Sequence, residues 1–298
     1  MAISINTNMA SLTAQKSLNQ STTKMNTAMQ RLSTGYKINS SKDDAAGMAV
    51  SGKLNYKISS LKVAHDNGQM GASMLDTTEG VYDLIKSNLH RIRDLTEQAA
   101  NGTYGSDSMK AIKSEVCARL NEISRIANST EFNGQYLMNG SIKDDINLQV
   151  GIQNDKQSVI KLDKDLFANA TATVLLNVGA GKTIEKLSDE VYKNDTTARE
   201  FLDKLDVAIE DVTVRTTTIG GVQQRIISAM DAADVMKTSM TSAVALIQDA
   251  DIAEESSNYV KHQILQQTSA SMLATANQAP SIALQLLGQL KKQNQNYN

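Results

Sequence analysis

The chain has 298 residues, 41% of them apolar, and is long enough to bury a sizeable core. Thirty basic side chains against 32 acidic ones leave a net charge of −2, so the overall balance attracts neither nucleic acid nor an anionic membrane. One proline, no tryptophan and 4% aromatics suit long uninterrupted helices, and no run approaches the roughly eighteen apolar residues of a membrane span.

Ile5, Met9, Leu12, Leu18, Met25, Met29 and Leu32 give an amphipathic first helix. Ser41 followed by Asp44 has capping-box spacing and predicts the start of a second helix, with Asp43 also near the positive end of its dipole. Caps explain these adjacent carboxylates better than a metal or acid pair does, because no histidine is close in sequence. Residues 45 to 100 carry Leu54, Ile58 and Leu61, then Tyr82, Ile85, Leu89 and Ile92, joined by a small-residue stretch around Gly68, Gly71 and Ala72. A shorter helix holds Met109, Ile112, Val116, Leu120 and Ile123. It also carries Cys117, the single cysteine, which can form no intrachain disulfide and reads as a packed thiol.

Between residues 131 and 182 the pattern changes. Turns at Asn133-Gly134 and Asn139-Gly140 precede an alternation through Ile146, Leu148, Val150 and Ile152. The run Val159-Ile160-Lys161-Leu162 follows the polar loop Asn154-Asp155-Lys156, which predicts a β-hairpin, then an extended stretch to Val178 and a bend at Gly179-Ala180-Gly181.

The clearest period starts at Leu202 and steps by three and four through Leu205, Ile209, Val212, Thr216, Ile219, Gln223, Ile226, Met230, Ala233, Lys237, Met240, Val244 and Ile247. Eleven of these fourteen positions are apolar, which predicts one seam along a helix on the order of 70 Å long. Each aliphatic side chain left wet forgoes roughly 1.5–3 kcal/mol, so the seam must face other helices, and the two upstream helices complete a three-helix bundle. Residues 253 to 290 give a looser helix with Val260, Ile264, Met272, Leu273, Leu284 and Leu287. A helix with a modest stripe and no tertiary partner is marginal in water, so both ends are expected to order mainly against other copies. The expected fold is mainly α: a long coiled-coil bundle with a small β-hairpin region.

Five blocks of this sequence resemble the bacterial flagellins in order, spacing and terminal placement. They are INTNMASLTAQKSL at 5 to 18, RLSTGYKINSSKDDAAG at 31 to 47, LHRIRDLTEQAANGTYGSD at 89 to 107, ARLNEISRIANSTEFNGQYL at 118 to 137 and ANQAPSIALQLL at 276 to 287. The resemblance implies an elongated subunit with discontinuous domains. Residues 1–44 with 253–298 would pair as an inner, lumen-lining coiled coil, and residues 45–252 would form the surrounding shell. It implies self-assembly through Ile5, Met9, Leu12, Leu18, Met25, Leu32, Ile264, Leu273, Leu284 and Leu287, giving an extracellular flagellar filament used for swimming. The implied partners are other flagellin copies, hook-filament junction and cap proteins, the flagellar type III export apparatus with a flagellin chaperone, and a host Toll-like receptor. That receptor and the neighbouring protofilaments would meet the region of Arg91, Leu95 and Glu115, where the two charges make hydrogen bonds and Leu95 gives apolar anchorage.

Two departures from the family stand out. His65 lies in VAHDNGQM, where flagellins commonly carry an Arg-Asn-Ala-Asn-Asp-Gly type segment, and eleven residues, GQLKKQNQNYN, continue past Leu287. Composition and the lack of a signal-peptide pattern at the start would by themselves suggest a cytoplasmic protein, but a dedicated export machine leaves no such mark.

An enzyme is the competing class. His65, His90 and His262 are isolated from one another, and no His-Glu-x-x-His motif, phosphate loop or nucleophile elbow occurs, so neither metal nor cofactor is expected. A hook-filament junction adaptor shares helical ends but matches RLSTGYKINSSKDDAAG less closely. A generic coiled-coil scaffold would explain the seam without the terminal blocks. The Asn-x-Ser/Thr triplets at Asn101, Asn128, Asn139, Asn169 and Asn194 are ordinary in a sequence this rich in Asn and Ser.

Overall fold

A computed structural model describes residues 7–178 and 183–295, with side chains described up to Gln278 and at Ser281. Among these residues seven α-helices occur: α1 (Met9–Thr34), α2 (Ala45–Ala99), α3 (Ser106–Ser129), α4 (Ala172–Leu175), α5 (Ile184–Val191), α6 (Asp195–Gln248) and α7 (Ile252–Gln295). Four short strands form two separate antiparallel hairpins, β1 (Glu131–Phe132) with β2 (Gln135–Tyr136) and β3 (Ile146–Gln149) with β4 (Val159–Leu162). The chain divides into two compact units, one of residues 1–56 with 240–298 and one of residues 57–239. The fold is mainly α, with the β structure confined to the two hairpins.

In the 57–239 unit the seam of α6 is covered by α2 and α3. Leu205, Val212, Ile219, Ile226 and Ala233, seven residues apart, are all at most 2% exposed, while the seam positions between them, Ile209, Thr216, Gln223 and Met230, are half-buried. This is the burial expected of a heptad stripe. Facing them are Leu75, Tyr82, Ile85, Leu89 and Ile92 of α2 and Ile112, Val116, Leu120 and Ile123 of α3. Gln223 is a polar member of the seam; its side-chain amide donates to Asp76 at 2.8 Å and Glu79 at 2.9 Å on α2. The same positions run Arg93 against Asp206, Asp76 against Gln223 and His65 against Asp234, so α2 and α6 are antiparallel.

The small residues around Gly68, Gly71 and Ala72, expected to join two apolar stretches, lie inside one continuous helix of 55 residues. Their role is close approach: a Cβ on Gly68 would lie 2.8 Å from Met230 of α6, and one on Gly71 would collide with Leu148 of β3. The second helix also starts differently from the Ser41 capping box. Asp44 itself caps it by accepting from the Gly47 amide at 2.9 Å, and Asp43 accepts from the Asn39 and Ser40 amides at 3.1 and 2.9 Å in the preceding turn. Two adjacent carboxylates thus serve two successive turns, and Ser41 serves neither.

The β1–β2 turn has Asn133 at φ 49° and Gly134 at φ 78°, the left-handed pair that a two-residue hairpin needs. In the second hairpin Ile146 pairs with Leu162 and Leu148 with Ile160, so the apolar side chains share one face. The expected extended stretch to Val178 is not formed. A 3-10 turn at Lys164–Phe167 and the short α4 replace it, because Leu166 and Phe167 fold into the core and Asn169 turns the chain by accepting from the Thr171 amide at 2.9 Å. Tyr82 holds this segment down: it is wholly buried and its hydroxyl donates to the Leu166 carbonyl at 3.0 Å. The bend at residues 179–181 lies outside the described residues. Sequence periodicity missed α5 and the first turns of α6, whose apolar positions Leu187, Val191, Ala198 and Phe201 straddle a helix break.

Adjacent isoleucines of α6 provide a test of this packing. Ile226 is fully buried and Ile227 is 42% exposed. Ile226→Ala should cost about 2–5 kcal/mol in urea unfolding of the soluble full-length chain, whereas Ile227→Ala should stay within about 0.5 kcal/mol.

Candidate functional site: the terminal helix pair and the Arg91–Glu115 surface

Helices α1 and α7 lie side by side within the unit that holds both chain ends. Arg31 meets Glu255 at 2.7 Å, Thr22 meets Gln266 at 3.0 Å and Ser11 meets Asn277 at 2.7 Å, so rising numbers on α1 pair with falling numbers on α7 and the helices are antiparallel. At one end the turn after α1 clasps the turn before α7. The Lys37 amide donates to the Gln248 carbonyl at 2.8 Å, and the Ala250 amide donates to the Gly35 carbonyl at 2.9 Å. Glu255, only 8% exposed, is satisfied there by Arg31.

What this pair lacks is a core. On α1 only Ser21 and Ala28 are buried. Of the sequence-predicted assembly residues, Met9 is 66% exposed, Leu12 51% and Ile264 56%, while Leu18, Met25, Leu32 and Leu273 are half-buried. Ile5 lies outside the described residues, and the side chains of Leu284 and Leu287 are not described. Sequence reading passed over Leu265, which forms a shallow apolar hollow on α7 with Val260 and Ile264. Its signal was there: positions 260, 264 and 265 follow helical spacing.

On the 57–239 unit, Arg91 of α2 reaches Glu115 of α3 through Nε and Nη2, each 3.2 Å from Oε1. Arg119 donates to the same oxygen at 3.1 Å and to Asn88 at 3.3 Å. Desolvation between the helices pushes the Glu115 carboxyl up, but the hydrogen bonds and charges of Arg119 and Arg91 outweigh it, and the net shift is downward. Leu95, expected to give apolar anchorage at this surface, is instead 3% exposed and packs in the bundle core, because its place in the stripe beside Ile92 turns it inward. Arg119 and Asn88 are members of this cluster that sequence reading did not single out.

Among the described residues no three His, Cys, Asp or Glu side chains gather to hold a metal ion, and no helix is long and apolar enough to cross a membrane. His65 sits 3.5 Å from Asp234, a contact between α2 and α6 rather than part of a cluster.

Two family profiles match this chain, the bacterial flagellin N-terminal helical region over residues 5–143 and the bacterial flagellin C-terminal helical region over residues 202–287. The chain belongs to the bacterial flagellin family. A flagellin of Xenorhabdus nematophila is 35% identical over 323 residues, covering 96% of this chain and all of that one. A flagellin of Halalkalibacterium halodurans is 33% identical over 284 residues, covering 95% and 99%. A Vibrio parahaemolyticus protein assigned to the flagellar hook-associated class shares the fold at TM-score 0.58, with 18% identity over 69% of this chain and 99% of that one. This flagellin is therefore a structural subunit of a flagellar filament, polymerising with other flagellin copies, and it carries the family's two helical regions at its ends.

The Glu115 cluster has a measurable pH signature. A carboxyl whose folded pKa is lowered stabilises the fold above its unfolded value, about 4.3 for glutamate, and that stability is lost as pH falls through the folded value. Glu115→Gln should lower the thermal midpoint of the soluble chain slightly at pH 7, and the difference from the parent should close as pH is taken below about 4.

Proposed function

We propose that filament growth in this flagellin is driven by the terminal helices, whose apolar stripes are completed only by neighbouring subunits. The observation that carries this reading is the large exposure of Met9, Leu12 and Ile264 on a helix pair with almost no buried core. Fully burying an aliphatic side chain is worth roughly 1.5–3 kcal/mol, so half-exposed ones return about 1 kcal/mol each. Several such residues on each subunit, repeated along a polymer, can offset the loss of translational freedom on association. The same stripes on Leu18, Met25, Leu32, Leu273, Leu284 and Leu287, with Ile5 before them, extend the contact.

A pair that is marginal alone also suits passage as an unfolded chain through a narrow export channel, with folding and assembly at the filament tip as one event. On this reading the subunit is extracellular in use. Its partners are the type III export apparatus, a chaperone that covers the apolar ends, the cap and the hook-filament junction proteins. No catalytic role is assigned. Arg91 and Glu115, with Leu95 beneath them, are the proposed contact for adjacent protofilaments and for a host Toll-like receptor. Because they satisfy each other within the subunit, a partner must exchange that pair rather than find free charges. The hook-junction adaptor is a second reading, favoured only by the fold likeness to the hook-associated class.

Electron microscopy after seeding or salting-out separates these readings. The full chain should give long filaments, and a chain lacking residues 1–40 and 255–298 should remain a soluble monomer whose helical circular dichroism persists. Polymers from the truncated chain, or only short oligomers from the full one, would reject the proposal.

A further inference from the structure

Pro280 lies inside α7, a helix of 44 residues. Proline has no N–H, so the carbonyl four residues earlier, that of Ala276, loses the donor that every interior carbonyl of an α-helix otherwise has. That carbonyl is not left open: the Asn8 side chain donates to it through Nδ2 at 2.7 Å. The other end of the same amide caps α1, Oδ1 accepting from the Ser11 amide at 3.0 Å. Beside this contact, three residues on from Asn8 and one on from Ala276, the Ser11 hydroxyl donates to Asn277 Oδ1 at 2.7 Å.

We propose that Asn8 and Pro280 form a register lock between α1 and α7, the proline freeing the Ala276 carbonyl and the N-cap asparagine supplying its donor. The inference rests on the reading that this helix pair assembles with neighbouring copies, and it adds what fixes the alignment. An apolar stripe alone tolerates a slip of one heptad, since the pattern repeats. Slipped by seven, Asn8 would face Ser269 or Ala283, whose carbonyls are taken by the N–H groups of Leu273 and Leu287. Among the described residues of α7 a carbonyl freed by proline occurs once, because the sequence has one proline. The slipped states therefore leave both the Asn8 donor and the Ala276 acceptor unpaired. The two groups come from the first and last of the sequence blocks that resemble the family, which places the lock where the chain's ends meet.

Cysteine pairs in a Cys117→Ser chain read the register. Thr22→Cys with Gln266→Cys reports the observed alignment, since these side chains are in hydrogen-bond contact. Thr22→Cys with Leu273→Cys, or with Tyr259→Cys, reports a slip of one heptad either way. Each pair is co-assembled with a tenfold excess of parent subunits, oxidised in the filament and resolved on a denaturing gel. The parent sequence should cross-link in the observed alignment. Asn8→Ser, which keeps the cap but loses the amide donor, should cut the ratio of aligned to slipped product at least threefold. Pro280→Ala, which restores the helix's own donor, should do the same, and the double variant should be no worse than either. Exclusion of both single variants from the co-polymer would also support the lock. Unchanged registers, additive effects, or a response to one substitution and not the other would overturn it. Failure of the parent itself to form filaments would instead reject assembly through the terminal pair, so the two claims fail separately.

Discussion

A helix of fifty or so residues carries its apolar stripe along its whole length, and that stripe must be covered along its whole length. Two helices of this size, α2 and α6, set this demand. Within residues 57–239 the chain meets it internally: α3, two hairpins and the short segments between them close over the seam, and the heptad positions from Leu205 to Ala233 are almost completely dry. The pair of α1 and α7 faces the same demand with almost no buried core on α1, and Met9, Leu12 and Ile264 remain more than half exposed. The functional reading follows from this contrast. On the proposed reading, one unit is a folded body and the other is half of an interface.

Polar groups decide details that apolar seams leave degenerate. Burial rewards many alignments of two regular stripes nearly equally, whereas a hydrogen bond to a particular carbonyl rewards one. In the 57–239 unit Gln223 bridges to Asp76 and Glu79, and Tyr82 fixes the 164–170 segment by bonding the Leu166 carbonyl. In the terminal pair Arg31 with Glu255 anchors one end, the turn-to-turn clasp holds the same end, and Asn8 with Ser11 anchors the other. These contacts are few and placed at element ends or at seam positions where an apolar residue would have been expected.

Long-range periodicity was legible in the sequence, and so were the Asn133-Gly134 turn and the hairpin of β3 and β4, because these depend on local spacing and backbone preference. The charged pair Arg91–Glu115 could be named through family resemblance and is seen to bond across α2 and α3. Less legible was anything fixed by tertiary contact. Gly68 and Gly71 read only as a small-residue join between apolar stretches, whereas they serve close approach of Met230 and Leu148. Leu95 read as a surface anchor, although its heptad phase with Ile92 places it in the core. The 163–178 stretch read as extended because its apolar residues give no helical period, and it is turned by Asn169 and by burial of Phe167 instead. The pairing of Asn8 with the Ala276 carbonyl joins residues 268 apart in sequence, which no local pattern signals.

The central claim is that the terminal pair is incomplete in one subunit and completed by others. Amide hydrogen exchange, compared between the soluble full-length chain and sedimented filaments, tests it most directly. Amides of α1 and α7 should exchange freely in the soluble chain and become strongly protected in the polymer, with the core positions of residues 57–239 protected in both. Equal, strong protection of α1 and α7 before and after assembly would contradict the account, since the pair would then be stable without its neighbours.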